Sequence, residues 1–266
     1  MTSPLYAGYR ARILKFWQLV VIKVWFNLRS EAAQSYLSYT WWVLEPLLQM
    51  GVFYIVFDIL LHRGTEDFVA FLLCGIVPWL WFSKSVNQSG NSIIKGKGLI
   101  GQTYLPKPFF PLVAIGQALI KQAFVFVLLV IFLFMYDFYP SIGWLWVIPI
   151  VLTQLLLITA VSFVAALIVP FARDLQYLID AILKMMMFGS GIFYSYKNVF
   201  LPEHREIFLM NPMANLIASY RRVLMEDTVP MTGSLAVISL LSILVILLMT
   251  SIMKRHSNTL TRLALE

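Results

Sequence analysis

Six stretches of roughly 20 mostly apolar residues, separated by more polar connections, leave this 266-residue chain few folds to choose from. They run approximately over Trp41–Leu61, Phe68–Val86, Phe109–Tyr136, Trp144–Phe171, Leu175–Tyr196 and Leu235–Met253. A backbone in hydrocarbon must satisfy its own hydrogen bonds, so runs of this length read as membrane-spanning helices. The expected fold is therefore an all-α integral membrane protein with six transmembrane helices, forming one transmembrane domain over 1–266. Spans 1–5 fall within 41–196 and span 6 at 235–253. A mean hydropathy of +0.81 and a charged fraction of 12% exclude an ordinary soluble domain.

An even number of spans puts both termini on one side, and the basic residues choose that side. Arg10, Arg12, Lys15, Lys23 and Arg29 precede the first span. Lys95, Lys97 and Lys107 lie in the second connection, and Lys254, Arg255 and Arg262 follow the last span. The first and third connections offer only Arg63, against Glu66, Asp67 and Asp137. Both termini are thus expected in the cytoplasm. The net charge of +7 follows from this topology and does not call for nucleic acid. Cys74, the only cysteine, excludes an intrachain disulfide.

Two segments do not span. Residues 10–29 place Arg12, Lys15, Gln18, Lys23 and Asn27 on one half of a helix and Ile13, Phe16, Trp17, Val20, Val24 and Leu28 on the other. This predicts a basic amphipathic helix in the cytoplasmic interface. Residues 197–233 are too charged to span and too long for a turn. Pro202-Glu203 and Asn211-Pro212 are good helix starts. They predict two short helices, roughly 202–209 and 212–225, dipping back into the outer leaflet.

The apolar runs are interrupted in a telling way. Trp42, Glu45, Pro46, Gln49 and Phe53 share one face of the first span. Tyr177, Asp180, Lys184, Phe188 and Ser195 share one face of the fifth. Polar groups in hydrocarbon cost several kcal/mol unless they meet protein or water. These faces suit a conduit wall or a dimer seam, with helix packing an equal account of Glu45 alone. Asp180 and Lys184, spaced i,i+4 with the acid first, predict an internal ion pair. Lys121 is expected to snorkel to the cytoplasmic boundary. Aromatic residues, 15% of the chain, would let an apolar sugar face slide along such a path.

No phosphate-binding loop of the G-x-x-x-x-G-K-[ST] type occurs. No metal-ligand cluster forms from the scattered His62, His204 and His256, and no nucleophile–base motif is present. A transporter of this kind needs a separate energy source.

The order of several motifs resembles the membrane subunits of bacterial ABC exporters for O-antigen, capsule and teichoic-acid polymers, the Wzm-type permeases of the ABC-2 family. Leu37 through Pro46 matches a Leu-Gly-x-x-Trp-x-x-x-x-Pro stretch, with Ser38 in place of the glycine. Gly75, Trp79, Trp81 and Phe82 match the late second span, and Asn91 through Pro106 the polar connection. Arg173-Asp174 precedes the fifth span, and Asn211-Pro212 through Leu216-Ile217 to Tyr220-Arg221 matches the last motif.

The resemblance implies a homodimeric, multi-pass permease of the bacterial inner membrane. It further implies two cytoplasmic ATPase subunits that carry the ATP–Mg²⁺, and a lipid-linked polysaccharide as substrate. The chain itself would be no enzyme and hold no cofactor or metal. Trp42, Glu45, Gln49, Phe53, Tyr177, Lys184, Phe188 and Ser195 are the expected channel lining. Arg29 and Arg173 are the expected contacts to the lipid headgroup. Lys95, Lys97, Thr103, Tyr104 and Leu105 are expected to couple to the ATPase, with a short docking helix just before Pro106. Asn211, Pro212, Tyr220 and Arg221 belong to the expected external gate. Competing readings are an exporter subunit for a small molecule or lipid, and a membrane-embedded glycosyl- or acyltransferase. The last would need convergent acid, base or metal residues at one depth.

Overall fold

The computed structural model describes residues 4–34, 40–41, 44, 47–48, 51–52, 55–60, 67–103, 105–195 and 208–265. Trp42, Glu45, Gln49, Phe53 and Tyr104, together with most of the expected helix 202–209, lie outside the described residues. Those described are almost entirely helical, with no strand among them. A short π-helical turn, Ile55–Leu60, is described within the first apolar run. The principal helices are α1 (Pro4–Gln34), α2 (Phe68–Gly90), α3 (Ser92–Lys95), α4 (Lys97–Ile100) and α5 (Phe109–Met135). Then come α6 (Val147–Ile168), α7 (Leu175–Gly189), α8 (Pro212–Leu224), α9 (Thr232–Arg255) and α10 (Ser257–Leu265). A 3₁₀ turn, Ile142–Trp146, leads into α6.

Four of these are long and apolar enough to cross a membrane: α2, α5, α6 with its 3₁₀ lead, and α9. The chain is thus a multi-pass membrane protein. The expected fifth span ends early. α7 has 15 residues, about 22 Å of rise, against a hydrocarbon layer of about 30 Å. The physical cause is Gly189-Ser190-Gly191, where Gly191 takes φ +69°, a left-handed conformation that glycine adopts at no steric cost.

The bundle is organised around α2, most of whose residues are buried. It packs against α5, α6, α7 and α8, while α6 pairs with α9. Pro78 lies inside α2 and removes one rung of its ladder. Two buried amides brace that stretch: Gln154 Nε2 donates to the Pro78 carbonyl at 2.8 Å, and Gln122 Nε2 to that of Val77 at 3.4 Å. Intramembrane glutamines bonded in this way are satisfied by backbone rather than left facing lipid.

The N-terminal helix extends beyond the expected 10–29, and it runs alongside α5 in the same direction. Phe16 meets Phe109 at 6.2 Å between ring centroids. Val24 seats on Gly116, where a Cβ would lie 2.9 Å from Val24 Cγ2. Glu31 pairs with Lys121 Nζ at 2.5 and 2.6 Å. Lys121 therefore finds a carboxylate on a neighbouring helix.

The connection after α2 also differs from expectation. Gly96 and Gly101 bound the single-turn helices α3 and α4, and Thr103 and Leu105 are not helical. The residue before Pro106 is biased away from helical geometry, and among the described residues no docking helix forms there. The C-terminal helix α10 folds back onto α3 and α4. Its Leu260 and Ala264 are buried, and Lys97 Nζ donates to the Leu265 carbonyl.

Candidate functional site

Two clusters of polar side chains within the bundle bring expected site residues together. One lines a groove of about 350 Å³ between α2 and α7. Trp79, Ser83, Lys84 and Asn87 line it from α2, and Asp180 and Lys184 from α7. Asp180 accepts from Asn87 Nδ2, and from Gln176 Nε2 at 3.2 Å. Gln176 fits because residue 90 is glycine: a Cβ there would stand 2.6 Å from Gln176 Oε1. The expected Asp180–Lys184 ion pair does not form. Two amide donors, from the opposing surface and the preceding turn, both bond Asp180 Oδ1 and turn the carboxylate toward α2, and Lys184 is exposed at the groove.

The single face read on the fifth span is thereby divided. Asp180 turns toward α2. Tyr177 is 76% exposed and Phe188 is likewise exposed. Ser195 lies past the end of α7 and is half-buried. α7 keeps an open face along most of its length, since Leu183 is its one buried residue. Lys84 and Asn87 were not anticipated as site residues. Their signal was the polar run Ser83-Lys84-Ser85-Val86-Asn87-Gln88, with Lys84 and Asn87 one helical turn apart.

The second cluster is at α8. Asn211 caps it: Oδ1 accepts from Met213 N at 3.0 Å, and Pro212 occupies the first turn. The helix covers Pro212–Leu224, close to the expected 212–225. Asn211 Nδ2 also donates to the Gly189 carbonyl at 3.2 Å, stacking the start of α8 on the end of α7. Tyr220 OH donates to Gln154 Oε1 at 2.8 Å, so Tyr220, Gln154 and Pro78 form one chain of bonds across three helices.

Arg221 is 8% exposed and makes four hydrogen bonds to backbone. Nε and Nη2 donate to the Phe71 carbonyl at 3.2 and 3.1 Å. Nη1 donates to Gly191 O at 2.6 Å and Nη2 to Ile192 O at 2.7 Å. Its Cζ stands 3.4 Å from the Phe71 ring centroid. The planar fork satisfies the carbonyls freed where α7 breaks, which a point-charge ammonium could not do in the same way. Tyr220 and Arg221 thus sit inside the bundle, bonded at the α7–α8 junction.

The remaining expected residues lie at the connections. Lys95 and Lys97 are exposed on α3 and α4, Thr103 is exposed and Leu105 half-buried. Lys107 is only 4% exposed, and burial pushes its amine below the usual lysine range. Arg29 on α1 and Arg173 in the turn between α6 and α7 are both exposed, on separate elements.

The ABC-2 type transporter family profile matches residues 18–225. The chain belongs to that family. It is 29% identical over 204 residues to the O-antigen export system permease protein RfbA of Klebsiella pneumoniae, covering 76% of this chain and 78% of that one. The protein of the same description from Myxococcus xanthus is 25% identical over 235 residues, 88% and 90% of the two chains. The polysialic acid transport protein KpsM of Escherichia coli is 27% identical over 207 residues, 75% and 78%. The matched span of this ABC-2 member contains both the α2–α7 groove and α8.

Proposed function

We propose that this chain is the permease subunit of an ABC transporter that exports a lipid-linked polysaccharide, O-antigen or capsule type, across the bacterial inner membrane. The observation that carries the reading is the family match, together with relatives described as O-antigen and polysialic acid transporters along three quarters or more of the chain. Two copies form a homodimer, supported by the open face of α7. Two separate ATPase subunits hold the ATP and Mg²⁺, and this chain supplies no cofactor site. Six spans are expected, the first passing through 41–61 and the fifth entering on α7, and the charge distribution places both termini in the cytoplasm.

In this reading the conduit is formed across the two-fold axis by Trp42, Glu45, Gln49 and Phe53 of the first span and Tyr177, Lys184, Phe188 and Ser195 of the fifth. The exposure of Tyr177, Lys184 and Phe188 and the polar α2–α7 groove support it. α1 serves as the interface helix. The segments 202–209 and 212–225 re-enter from outside and close the mouth, with Asn211, Pro212, Tyr220 and Arg221 fixing the inner one. Lys95, Lys97, Thr103, Tyr104 and Leu105 pass motion from the ATPase, and Arg29 and Arg173 meet the anionic headgroup at the cytoplasmic boundary.

Deleting the gene is expected to remove the surface polymer and to leave lipid-linked polysaccharide on the cytoplasmic side, restored by the parent chain. Unchanged surface polymer overturns the reading. Single cysteines at 177, 184 and 188 are expected to react with a small water-soluble thiol reagent during ATP turnover faster than cysteines at 240 and 247 on α9. Equal rates remove the conduit assignment.

A further inference from the structure

Beside the α2–α7 groove the bundle holds a larger cavity, of about 740 Å³, wedged between α1, the start of α5 and the α3–α4 connection. Its walls carry Lys23 and Asn27 from α1, Gln88 and Lys95 from the end of α2 and from α3, and Gln117 and Lys121 from α5. Glu31 is the one carboxylate there, and it is taken by Lys121. Three lysines against one carboxylate leave two positive charges in excess. Neither Lys23 nor Lys95 makes an ion pair with any described residue.

The cavity reaches deep. Lys121 lies 12 residues into α5 from Phe109, about 18 Å along the helix. Lys121 is matched there by Glu31, which leaves Lys23 and Lys95 as the wall cations without a described carboxylate. The wall is also built to hold its shape. Gly96 seats the α3–α4 connection on α5, since a Cβ there would lie 2.3 Å from Phe110 Cε1. That contact fixes where Lys95 stands.

We propose that this cavity binds a phosphate-dense anion, a pyrophosphate or phosphomonoester group, carried on a lipid or free. Lysines supply charge without demanding one planar geometry, and the neighbouring amides supply neutral donors, which together suit a tetrahedral, multiply charged phosphate. The volume falls within the range of about 300–1,000 Å³ common to small-molecule sites. The proposal deepens the permease reading and rests on it only for the identity of the carrier. It adds Lys23 and Lys95 to the headgroup contacts proposed at Arg29 and Arg173, with the Lys121–Glu31 pair as the inner wall of the cavity.

The test uses the full chain in nanodiscs of phosphatidylcholine, which offer no competing anionic headgroup. Binding of inorganic pyrophosphate and of a short-chain prenyl pyrophosphate is measured by calorimetry. The parent is expected to bind at least one of them, tighter binding of the prenyl form marking a lipid-borne ligand and equal binding a free anion. The double variant Lys23→Gln/Lys95→Gln is expected to weaken binding at least about tenfold, and Lys15→Gln, outside the cavity, to leave it unchanged. Should the double variant not fold, Lys95→Glu alone is expected to produce the loss, because Lys95 is exposed. Absence of binding by the parent, or equal weakening by Lys15→Gln, overturns the site. So does displacement of bound pyrophosphate by the ATPase subunit at stoichiometric ratio, which would make the cavity a socket for an acidic side chain. Pyrophosphate binding with unchanged surface polymer in the deletion strain would sink the function and leave the site standing.

Discussion

Arg221 offers the sharpest test of how the bundle is held together. Arg221→Met removes a guanidinium of similar length and leaves the carbonyls of Gly191 and Ile192, both outside regular helix, without their donors. Each buried orphan costs about 1–3 kcal/mol, so the pair costs about 2–6 kcal/mol. The contact over the Phe71 ring adds about 2 kcal/mol if fully desolvated. Against this, the variant no longer buries a charge, which returns several kcal/mol. A net loss of about 3 kcal/mol is expected, lowering the unfolding midpoint by about 6–12 °C for a chain of this size. Thermal unfolding of the detergent-purified protein followed by tryptophan fluorescence measures it. Arg221→Lys should fall between, since one ammonium cannot span three carbonyls. Gly75→Ala should move the midpoint in the same direction, because its Cβ would stand 2.7 Å from Arg221 Nη2 and 3.3 Å from Ile192 Cα. A shift below about 2 °C for Arg221→Met would refute the argument that this side chain pins the end of α7.

Three further outcomes are expected. Tyr220→Phe leaves Gln154 Oε1 without its donor and should cost about 1–2 kcal/mol, with non-additivity in the double variant Tyr220→Phe/Gln154→Leu read from the same melts. Gly96→Ala must displace Phe110 and should destabilise by about 1–3 kcal/mol, whereas Gly98→Ala, with open space around it, should change stability by less than about 0.5 kcal/mol; equal effects in thermal melts would contradict the packing. Truncation after His256 strips α10 from α3 and α4 and should reduce polymer export several-fold while the protein still reaches the membrane, checked by surface-polymer staining and membrane fractionation; full export would show that the C-terminal helix is dispensable.

Much of the bundle was legible in the sequence because a membrane makes composition speak directly. Spans α2, α5, α6 and α9 appear within a few residues of the apolar runs that announced them, since hydrocarbon thickness dictates their length. Asn211-Pro212 marked the start of α8 because capping is a local matter of one side chain and the next turn. The fifth span was drawn too long, since hydropathy does not register a glycine in the left-handed region: Gly191 ends α7, yet the apolar stretch runs on to Tyr196. The short helices of the polar connection lie ahead of the stretch expected just before Pro106, because Gly96 and Gly101 put the turns earlier.

The sequence by itself determined that this is a helical, multi-pass membrane protein, and its motif order pointed to the exporter permeases. Those properties depend on residues near one another in the chain, and so on spacing alone. Tertiary structure decided which partner each intramembrane polar group takes. Asp180 had an eligible lysine four residues away, but Asn87, 93 positions distant, reached it from α2. Arg221 reads as a residue of the expected gate helix 212–225 until the fold sets it against Phe71, 150 positions away, and against the broken end of α7. Lys23, Lys95 and Lys121 share a cavity only because α1 lies along α5. In hydrocarbon an unpaired charge is costly, so Asp180 and Arg221 take the partners that packing brings within reach, and that choice is made by the whole fold.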